Sequence, residues 1–199
     1  MLNRKTIYIC RDNDNGLMSK TKGKLKIILL KEDIFIRIIK INKKDSVRGL
    51  IKENINSTFR YYDGLTHYEK VKFKDETYLI IYFIKYYNAL KEIIAKSNDI
   101  YIKPYEFTKE FKNKSKGLNI NIRRFRENIY LVTSINKTVV YTKSFNIEED
   151  INCYILECLE YLKEIFVVDD FVLFIEGSLY NNALNKLTKN IKFIKGKVS

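Results

Sequence analysis

The sequence is poor in the residues that carry most enzyme chemistry. Its 199 residues include one histidine, His67, and no tryptophan. His67 lies between Thr66 and Tyr68 without a nearby nucleophile pattern, which predicts a surface or partly packed side chain rather than a catalytic base. No P-loop, Gly-rich dinucleotide loop or HExxH pattern occurs, so no motif predicts a phosphate-binding or zinc-dependent enzyme.

Cysteine is also scarce, and its three residues are not spaced as pairs. Cys10, Cys153 and Cys158 give an odd count without a CxxC pattern. This predicts a reducing cytoplasm and small buried side chains rather than a disulfide framework. Cys153 and Cys158 are five positions apart on a predicted helix and would not share a face as metal ligands do. With a single histidine and no CxxC, we expect no structural zinc site. No motif predicts another cofactor, so we expect none.

No apolar run is long enough to span a bilayer, and no signal peptide precedes the first strand. The most apolar stretches, residues 78–84 and 165–175, are short or interrupted by charge. We therefore predict a cytoplasmic protein. The basic end, residues 192–197, would suit the cytoplasmic flank of a membrane anchor.

Lysine is abundant. The chain has 37 Lys and Arg against 24 Asp and Glu, a formal net charge of +13. Such an excess raises the expectation of a polyanionic partner, either nucleic acid or an anionic membrane. The lysines are nevertheless spread over nearly every segment, in a composition that an AT-rich coding genome produces. Much of the charge is therefore expected on a solvated, lysine-coated surface.

The apolar pattern predicts an α/β fold, most clearly in the second half. Three β-rich runs, residues 119–124, 128–134 and 138–145, precede an amphipathic helix over 148–166 and an apolar strand over 171–176.

That helix is predicted with three acidic residues in its first turn, where carboxylates complement the helix dipole. Its apolar face follows helical spacing and comprises Ile151, Tyr154, Ile155, Cys158, Leu159 and Leu162. Gly177 ends the next strand, and residues 178–189 are predicted to form a closing helix.

The first half is interpreted as a copy of the same order, with strands over residues 5–10, 25–30 and 34–41 and a helix capped by Asp45 or Ser46. The result is a duplicated fold of two β-β-β-α-β-α subdomains.

The predicted boundaries are residues 1–104 for the first subdomain and 118–199 for the second. Residues 105–117 form a basic connection, which is interpreted either as a flexible link or as a functional basic arm.

Arg123, Arg124 and Arg126 form the one arginine cluster in a lysine-dominated chain. Arginine is favoured over lysine where a planar, bidentate contact with carboxylate or phosphate matters. Two interpretations stay open: a strand edge protected by charge against aggregation, and a partner-binding patch. The cluster is the candidate site.

A metal-dependent nuclease would need several carboxylates at adjacent strand ends to hold two Mg²⁺ ions about 4 Å apart. The only plausible set is Asp12, Asp14, Asp169 and Asp170. The strands over 119–124 and 128–134 carry no inward carboxylate. The sequence therefore predicts no catalytic or metal-binding residue, and no enzyme.

The duplicated order resembles the actin-like, ribonuclease-H-type fold. More particularly, it resembles the PilM-like and GspL-like cytoplasmic proteins of type IV pilus and type II secretion assembly. Three segments carry the resemblance: residues 32–41 with the helix from Ser46, residues 76–96, and residues 127–147 with the helix and strand that follow. These are hydrophobic patterns that cover most of the chain.

Two departures from that family matter. Nucleotide-binding members carry an Asp-Ile-Gly type phosphate loop, whereas the corresponding residues 121–129 contain Arg123-Arg124-Phe125 and no glycine. Of the paired glycines expected after the last strand, only Gly177 is present. The resemblance therefore implies a degenerate, non-catalytic scaffold without a nucleotide site.

The resemblance further implies an adaptor that links an assembly ATPase to inner-membrane assembly proteins, at the inner face of the cytoplasmic membrane. A second copy of the chain is a further candidate partner. The alternative is a basic nucleic-acid-binding protein that places the arginine cluster and the lysines of residues 109–116 on phosphates, with an affinity that falls steeply with salt.

Overall fold

The computed structural model describes residues 5–10, 25–31, 34–86, 90–91, 94–95, 100–112, 116–168 and 170–195. The strands of these parts of the chain are β1 (Lys5–Cys10), β2 (Leu25–Leu30), β3 (Phe35–Ile41), β4 (Gly64–Phe73), β5 (Glu76–Lys85), β6 (Ile100–Pro104), β7 (Leu118–Phe125), β8 (Asn128–Ile135), β9 (Thr138–Asn146), β10 (Val172–Glu176) and β11 (Ile191–Ile194). The α-helices with described bounds are α1 (Val47–Thr58) and α2 (Ile151–Ile165), and residues 90–91 and 94–95 are also helical. The 3-10 helices of the described ranges are η1 (Tyr105–Phe107), η2 (Lys109–Phe111), η3 (Gly177–Leu179) and η4 (Asn182–Lys186).

The second half forms one mixed sheet in the order β11-β10-β7-β8-β9. β8 pairs antiparallel with both β7 and β9, whereas β10 pairs parallel with β7 and with β11. Three antiparallel strands followed by a crossover helix and two parallel strands give the ribonuclease-H-type order. The α/β class and the predicted order of three strands, a helix and β10 are confirmed for this half.

Helix α2 covers this sheet with the apolar face that its spacing predicts. Ile155, Cys158, Leu159 and Leu162 are buried. The helix begins later than predicted, so the expectation of acidic residues in its first turn is wrong. Asp150 is instead the N-cap, and its side chain accepts a hydrogen bond from the Asn152 backbone N–H. A carboxylate at the N-cap satisfies a backbone donor that the helix itself cannot pair.

The first half arranges its strands differently from the second. β1, β2 and β6 form a parallel sheet, and β3, β5 and β4 form a separate antiparallel sheet. The turn Lys74-Asp75, in which Lys74 has φ 52°, returns the chain at once, so Phe73 pairs with Glu76. An immediate return forces antiparallel pairing, because a parallel connection needs a long crossover.

Strand β5 lies between β3 and β4, and both of its faces are covered. Leu79, Ile81 and Phe83 pack with the partly buried side chains of α1. Ile80 and Tyr82 point the other way, into the main core. Helix α1 is capped by Ser46, one of the two residues predicted for that role, whose Oγ accepts from the Gly49 N–H.

The main core joins the two halves, and residues 105–111 are part of it. Tyr105 and Phe111 are each 3% exposed and belong to the same cluster as Ile80 of β5 and Ile120 of β7. Apolar side chains in this stretch make a solvated, flexible link unfavourable. Residues 105–111 are therefore packed, and the predicted domain boundaries stay a prediction.

The closing helix predicted over residues 178–189 is wrong. Two 3-10 helices, η3 and η4, replace it, because Tyr180 is extended with ψ 140° and the Asn181 side chain caps η4 by accepting from the Ala183 N–H. β11, which the sequence pattern did not predict, then pairs with β10. None of the helices in the described ranges is both long and apolar enough to cross a bilayer.

Candidate functional site: the arginine hairpin

The three predicted site residues lie on the hairpin formed by β7 and β8. The strand ladder continues to the pair Phe125 and Asn128, so only Arg126 and Glu127 form the turn. Arg126 has φ 56°. The left-handed region is unfavourable for a residue with a long side chain, and two-residue hairpin turns usually place Gly or Asn there.

Aromatic packing holds the hairpin tip in place. The guanidinium carbon of Arg126 lies 5.6 Å from the ring centroids of both Tyr8 and Phe125. Phe125 in turn stacks on Tyr105 with a centroid distance of 4.5 Å. Each cation–π contact at an exposed site contributes about 0.5–1 kcal/mol, which offsets much of the backbone cost at Arg126.

The structure brings two of the three arginines together. Arg124 and Arg126 are exposed, and the Arg124 Nε donates a 3.2 Å hydrogen bond to the Arg126 carbonyl. Arg123 is half-buried, with its guanidinium carbon 6.0 Å from the Phe111 ring and its Nε without a hydrogen bond to any described residue. Alternation along β7 separates Arg123 from its neighbour. The exposed patch therefore consists of Arg124 and Arg126.

A buried carboxyl lies beside the arginines. Glu176 ends β10, one residue beyond the pair Ile175 and Ile122, and is 5% exposed. Burial raises the pKa of Glu176, against a hydrogen bond from the Arg124 backbone N–H and the nearby charges of Arg123 and Arg124. The sequence pattern places Glu176 at the end of a strand and does not identify it as a residue of the site. The available signal was a charged residue that closes an otherwise apolar strand.

The hairpin is a poor fit for a nucleotide phosphate. A phosphate-binding turn exposes backbone N–H groups and uses glycine for close approach. Here the ladder is paired from Leu118 to Phe125, and the turn is packed on aromatic rings. At Gly177, an added Cβ would meet no atom within 4 Å, so no crowded backbone requires a glycine there.

The carboxylates considered for a nuclease do not form a described cluster. Asp12, Asp14 and Asp169 lie outside the described residues. The Asp170 carboxylate accepts hydrogen bonds from the Phe171 N–H at 2.8 Å and from the Asn190 side chain at 2.6 Å. Both of its oxygens are therefore used in local hydrogen bonds. Within the described ranges, no three His, Cys, Asp or Glu side chains converge as metal ligands would.

The remaining residues noted from the sequence have ordinary surroundings. His67 is a surface residue, as predicted, with its ring stacked on Tyr82 and its Nε2 3.8 Å from a Glu69 oxygen. Cys153 is exposed and Cys158 is buried, so these two cysteines lie on different faces of α2, as predicted. The prediction that the cysteines are buried is wrong for Cys153, which lies on the solvent face of the helix.

No protein-family model and no curated protein matches the sequence. Solved structures do. A Bacteroides thetaiotaomicron protein with an actin-like ATPase fold is 11% identical, with 91% of this chain and 73% of that one covered and a TM-score of 0.47. The PilM-PilN type IV pilus biogenesis complex is 9% identical over 85% of this chain and 69% of that one, with a TM-score of 0.47.

A third similar structure is the cytoplasmic domain of EpsL, an inner-membrane component of the type II secretion system of Vibrio cholerae. It is 9% identical over 88% of this chain and 65% of that one, with a TM-score of 0.46. At identities of 9–11% and TM-scores below 0.5, no property of these proteins is transferred to this chain.

Proposed function

We propose that the chain is a non-catalytic scaffold and that Arg124 and Arg126 contact an acidic partner. The packing of the hairpin tip carries this proposal. Arg126 rests on two aromatic rings, and Arg124 is tied to the Arg126 carbonyl. Side chains that are held before binding lose less conformational entropy in the complex. The planar guanidinium also suits a bidentate contact with a carboxylate.

The proposal of a non-catalytic role rests on the same hairpin. The turn between Phe125 and Asn128 contains two residues and no glycine, and rings pack against it. Such a turn offers no open set of backbone N–H groups for a nucleotide phosphate. The hairpin tip is therefore better suited to contact a protein surface than to hold a nucleotide.

The proposed setting is type IV pilus or type II secretion assembly. It is supported by the resemblance of the sequence to PilM-like and GspL-like proteins. There the chain would link an assembly ATPase to inner-membrane assembly proteins, in the cytoplasm and at the inner face of the membrane. The formal net charge of +13 favours an acidic partner surface and a fast, salt-sensitive association.

A nucleic-acid-binding role would use the same arginines and the lysines of residues 109–116. Base stacking needs exposed aromatic rings, whereas Phe111 is 3% exposed and Tyr105 is equally buried. Protein contact is therefore the better-supported role of this surface. Fluorescence anisotropy with DNA and RNA at low salt separates the two, because nucleic-acid affinity falls with a log–log slope of about 0.9 per phosphate.

Affinity capture with the tagged full chain, followed by mass spectrometry, tests the proposal. The informative variant is R124Q/R126Q, and its charge-matched control is K52Q/K163Q on the exposed faces of α1 and α2. We expect pilus or secretion assembly proteins to be recovered by the native chain and the control, and lost with the arginine variant. Recovery of no such component would overturn the proposed setting, and equal recovery by both variants would overturn the arginine contact.

A further inference from the structure

A cleft of about 420 Å³ lies between the β4–β5 hairpin, the segment from β6 to η2, and the turn between β8 and β9. Small-molecule sites in proteins typically enclose about 300–1,000 Å³. The lining residues do not include Arg124 or Arg126, so the cleft is separate from the arginine hairpin.

Fixed aromatic side chains form the apolar wall of the cleft. Tyr82 is 2% exposed, and its hydroxyl donates a 2.8 Å hydrogen bond to the Val139 carbonyl. The Phe107 ring meets Tyr82 edge to face at 5.0 Å, and the His67 ring stacks on Tyr82 with planes 13° apart. The accessible rings of Phe107 and His67 rest on this fixed side chain, so an apolar ligand would meet a wall that is already ordered, which lowers the entropy cost of binding.

The charged lining of the cleft has more cations than anions. Lys103, Lys112 and Lys137 line it together with Glu69 and Glu106. The Glu69 carboxylate lies 3.8 Å from the His67 Nε2 on the same strand. Lys103 is half-buried, and its pKa is lowered by burial and by the charges of Lys112 and Lys26, although Glu110 acts the other way. A bound anion would relieve this repulsion.

Lys137 is held at the rim by a rigid turn. Asn136 and Lys137 have φ values of 49° and 78°, as expected for a two-residue hairpin turn of type I′. The Asn136 side chain donates to the Lys72 carbonyl at 2.8 Å and accepts from the Gly117 N–H at 2.9 Å. These contacts fix the backbone from which Lys137 extends.

A buried hydroxyl also belongs to the lining. Thr108 is 8% exposed, and its Oγ1 is buried without a hydrogen-bond partner among the described residues. Buried polar groups are nearly always paired, by protein, water or ligand. A hydroxyl can donate to an anionic oxygen, so this atom is suited to the same ligand chemistry as the lysines.

We propose that this cleft binds a small aromatic carboxylate, with its ring against Phe107, which Tyr82 holds in place, and its carboxylate toward Lys103, Lys112 and the Thr108 hydroxyl. The size of the cleft limits the ligand to a small molecule, the rings select an apolar planar body, and the lysines select an anion. The proposal does not depend on the scaffold role.

Isothermal titration of the full chain with 1-naphthoate tests the proposal, with the neutral 1-naphthamide as the charge control. We expect naphthoate to bind with a Kd of about 1 mM or lower, as a ligand of this size reaches at ordinary efficiency. Naphthamide should bind about fivefold more weakly, the factor that an ion pair of about 1 kcal/mol contributes. Equal affinity for the two probes, or no heat of binding with naphthoate, would overturn the proposal.

Variants locate the site. K103Q/K112Q should weaken naphthoate binding by about fivefold or more and leave naphthamide binding within about twofold, whereas the charge-matched K52Q/K163Q should change neither. If K103Q/K112Q fails to fold, amide chemical-shift changes in the native chain decide. Shifts centred on Phe107, Thr108 and Lys112 support the cleft, and shifts centred elsewhere contradict it.

Discussion

The Tyr82 hydroxyl donates a 2.8 Å hydrogen bond to the Val139 carbonyl, 57 positions further along the chain. Tyr82 lies on β5, at the centre of the antiparallel sheet, and Val139 lies on β9, at the edge of the five-stranded sheet. The bond therefore joins the two sheets. Burial raises the pKa of Tyr82, so the phenol stays neutral and keeps its proton for this bond.

Replacement of Tyr82 by phenylalanine tests this connection. The Y82F variant removes the donor and leaves the Val139 carbonyl to find another partner in a buried site. We expect the free energy of unfolding to fall by about 1–2 kcal/mol, as for a buried hydrogen bond whose acceptor is left behind. Urea unfolding gives the value, with Y61F at the 80% exposed Tyr61 as control. An equal, near-zero change in both variants would show that the bond contributes nothing.

The pH dependence of stability tests the environment of Glu176. Its pKa is raised in the folded protein, so the folded state binds this proton more tightly than the unfolded state, in which a glutamate titrates at about 4.3. Stability contributed by this group is therefore complete below about pH 4 and is lost as the pH rises through the folded pKa. Relative to the native chain, E176Q should gain stability progressively between about pH 4 and neutral pH.

Unfolding midpoints in urea, measured at several pH values, give this difference. E160Q, at an exposed position on α2, removes the same charge without the same burial. A stability difference between E176Q and the native chain that stays constant or shrinks as the pH rises would contradict the assignment.

The local elements were the predictable ones. The apolar face of α2, the Ser46 cap and the strands from β7 to β9 follow from spacing, capping chemistry and turn residues that lie within one short window. The α-helix predicted over residues 178–189 was wrong because a 3-10 helix and an α-helix share much of their apolar spacing. The sequence pattern did not predict β11 because a four-residue parallel edge strand is determined by its pairing with β10, which no local pattern encodes.

The candidate site shows the same division. The arginine cluster is visible in the sequence because it departs from a lysine-rich composition. The rings that support Arg126 come from β1 and from the end of β7, and the buried Glu176 comes from β10. Contacts between segments this far apart depend on the complete sheet order, so the Tyr8 ring at Arg126 and the buried Glu176 required the structure. The separation of Arg123 from Arg124 follows from strand alternation, which is local.

Thiol reactivity should distinguish the two cysteines of α2. Burial raises the pKa of Cys158 to about 12, and the side chain is fully buried, so iodoacetamide should leave it unmodified in the folded protein. Cys153 is exposed but close to Asp150, whose carboxylate raises the thiol pKa. D150N should therefore alkylate faster at Cys153 while it retains the helix cap, because Asn and Asp cap about equally well.

Peptide mass spectrometry over time gives both rates. Modification of Cys158 without denaturant would contradict its burial. An unchanged Cys153 rate in D150N would show that the carboxylate does not control this thiol.

Two glycines offer opposite expectations for the same substitution. At Gly64, an added Cβ would lie 2.2 Å from the Ile84 carbonyl oxygen and 2.9 Å from the Tyr62 ring, so the strand pair would have to separate. We expect G64A to lower the free energy of unfolding by about 1–3 kcal/mol or more, as overpacking does. At Gly177, an added Cβ meets nothing within 4 Å, so G177A should be neutral or stabilise by up to about 1 kcal/mol.

Urea unfolding of both variants makes the comparison. Loss of stability in G64A alone would fit a close strand contact at the start of β4 and an unconstrained turn after β10. A large loss in G177A would instead mean that the backbone after Glu176 needs glycine. That result would weaken the conclusion that this strand end is not built as a phosphate-binding turn.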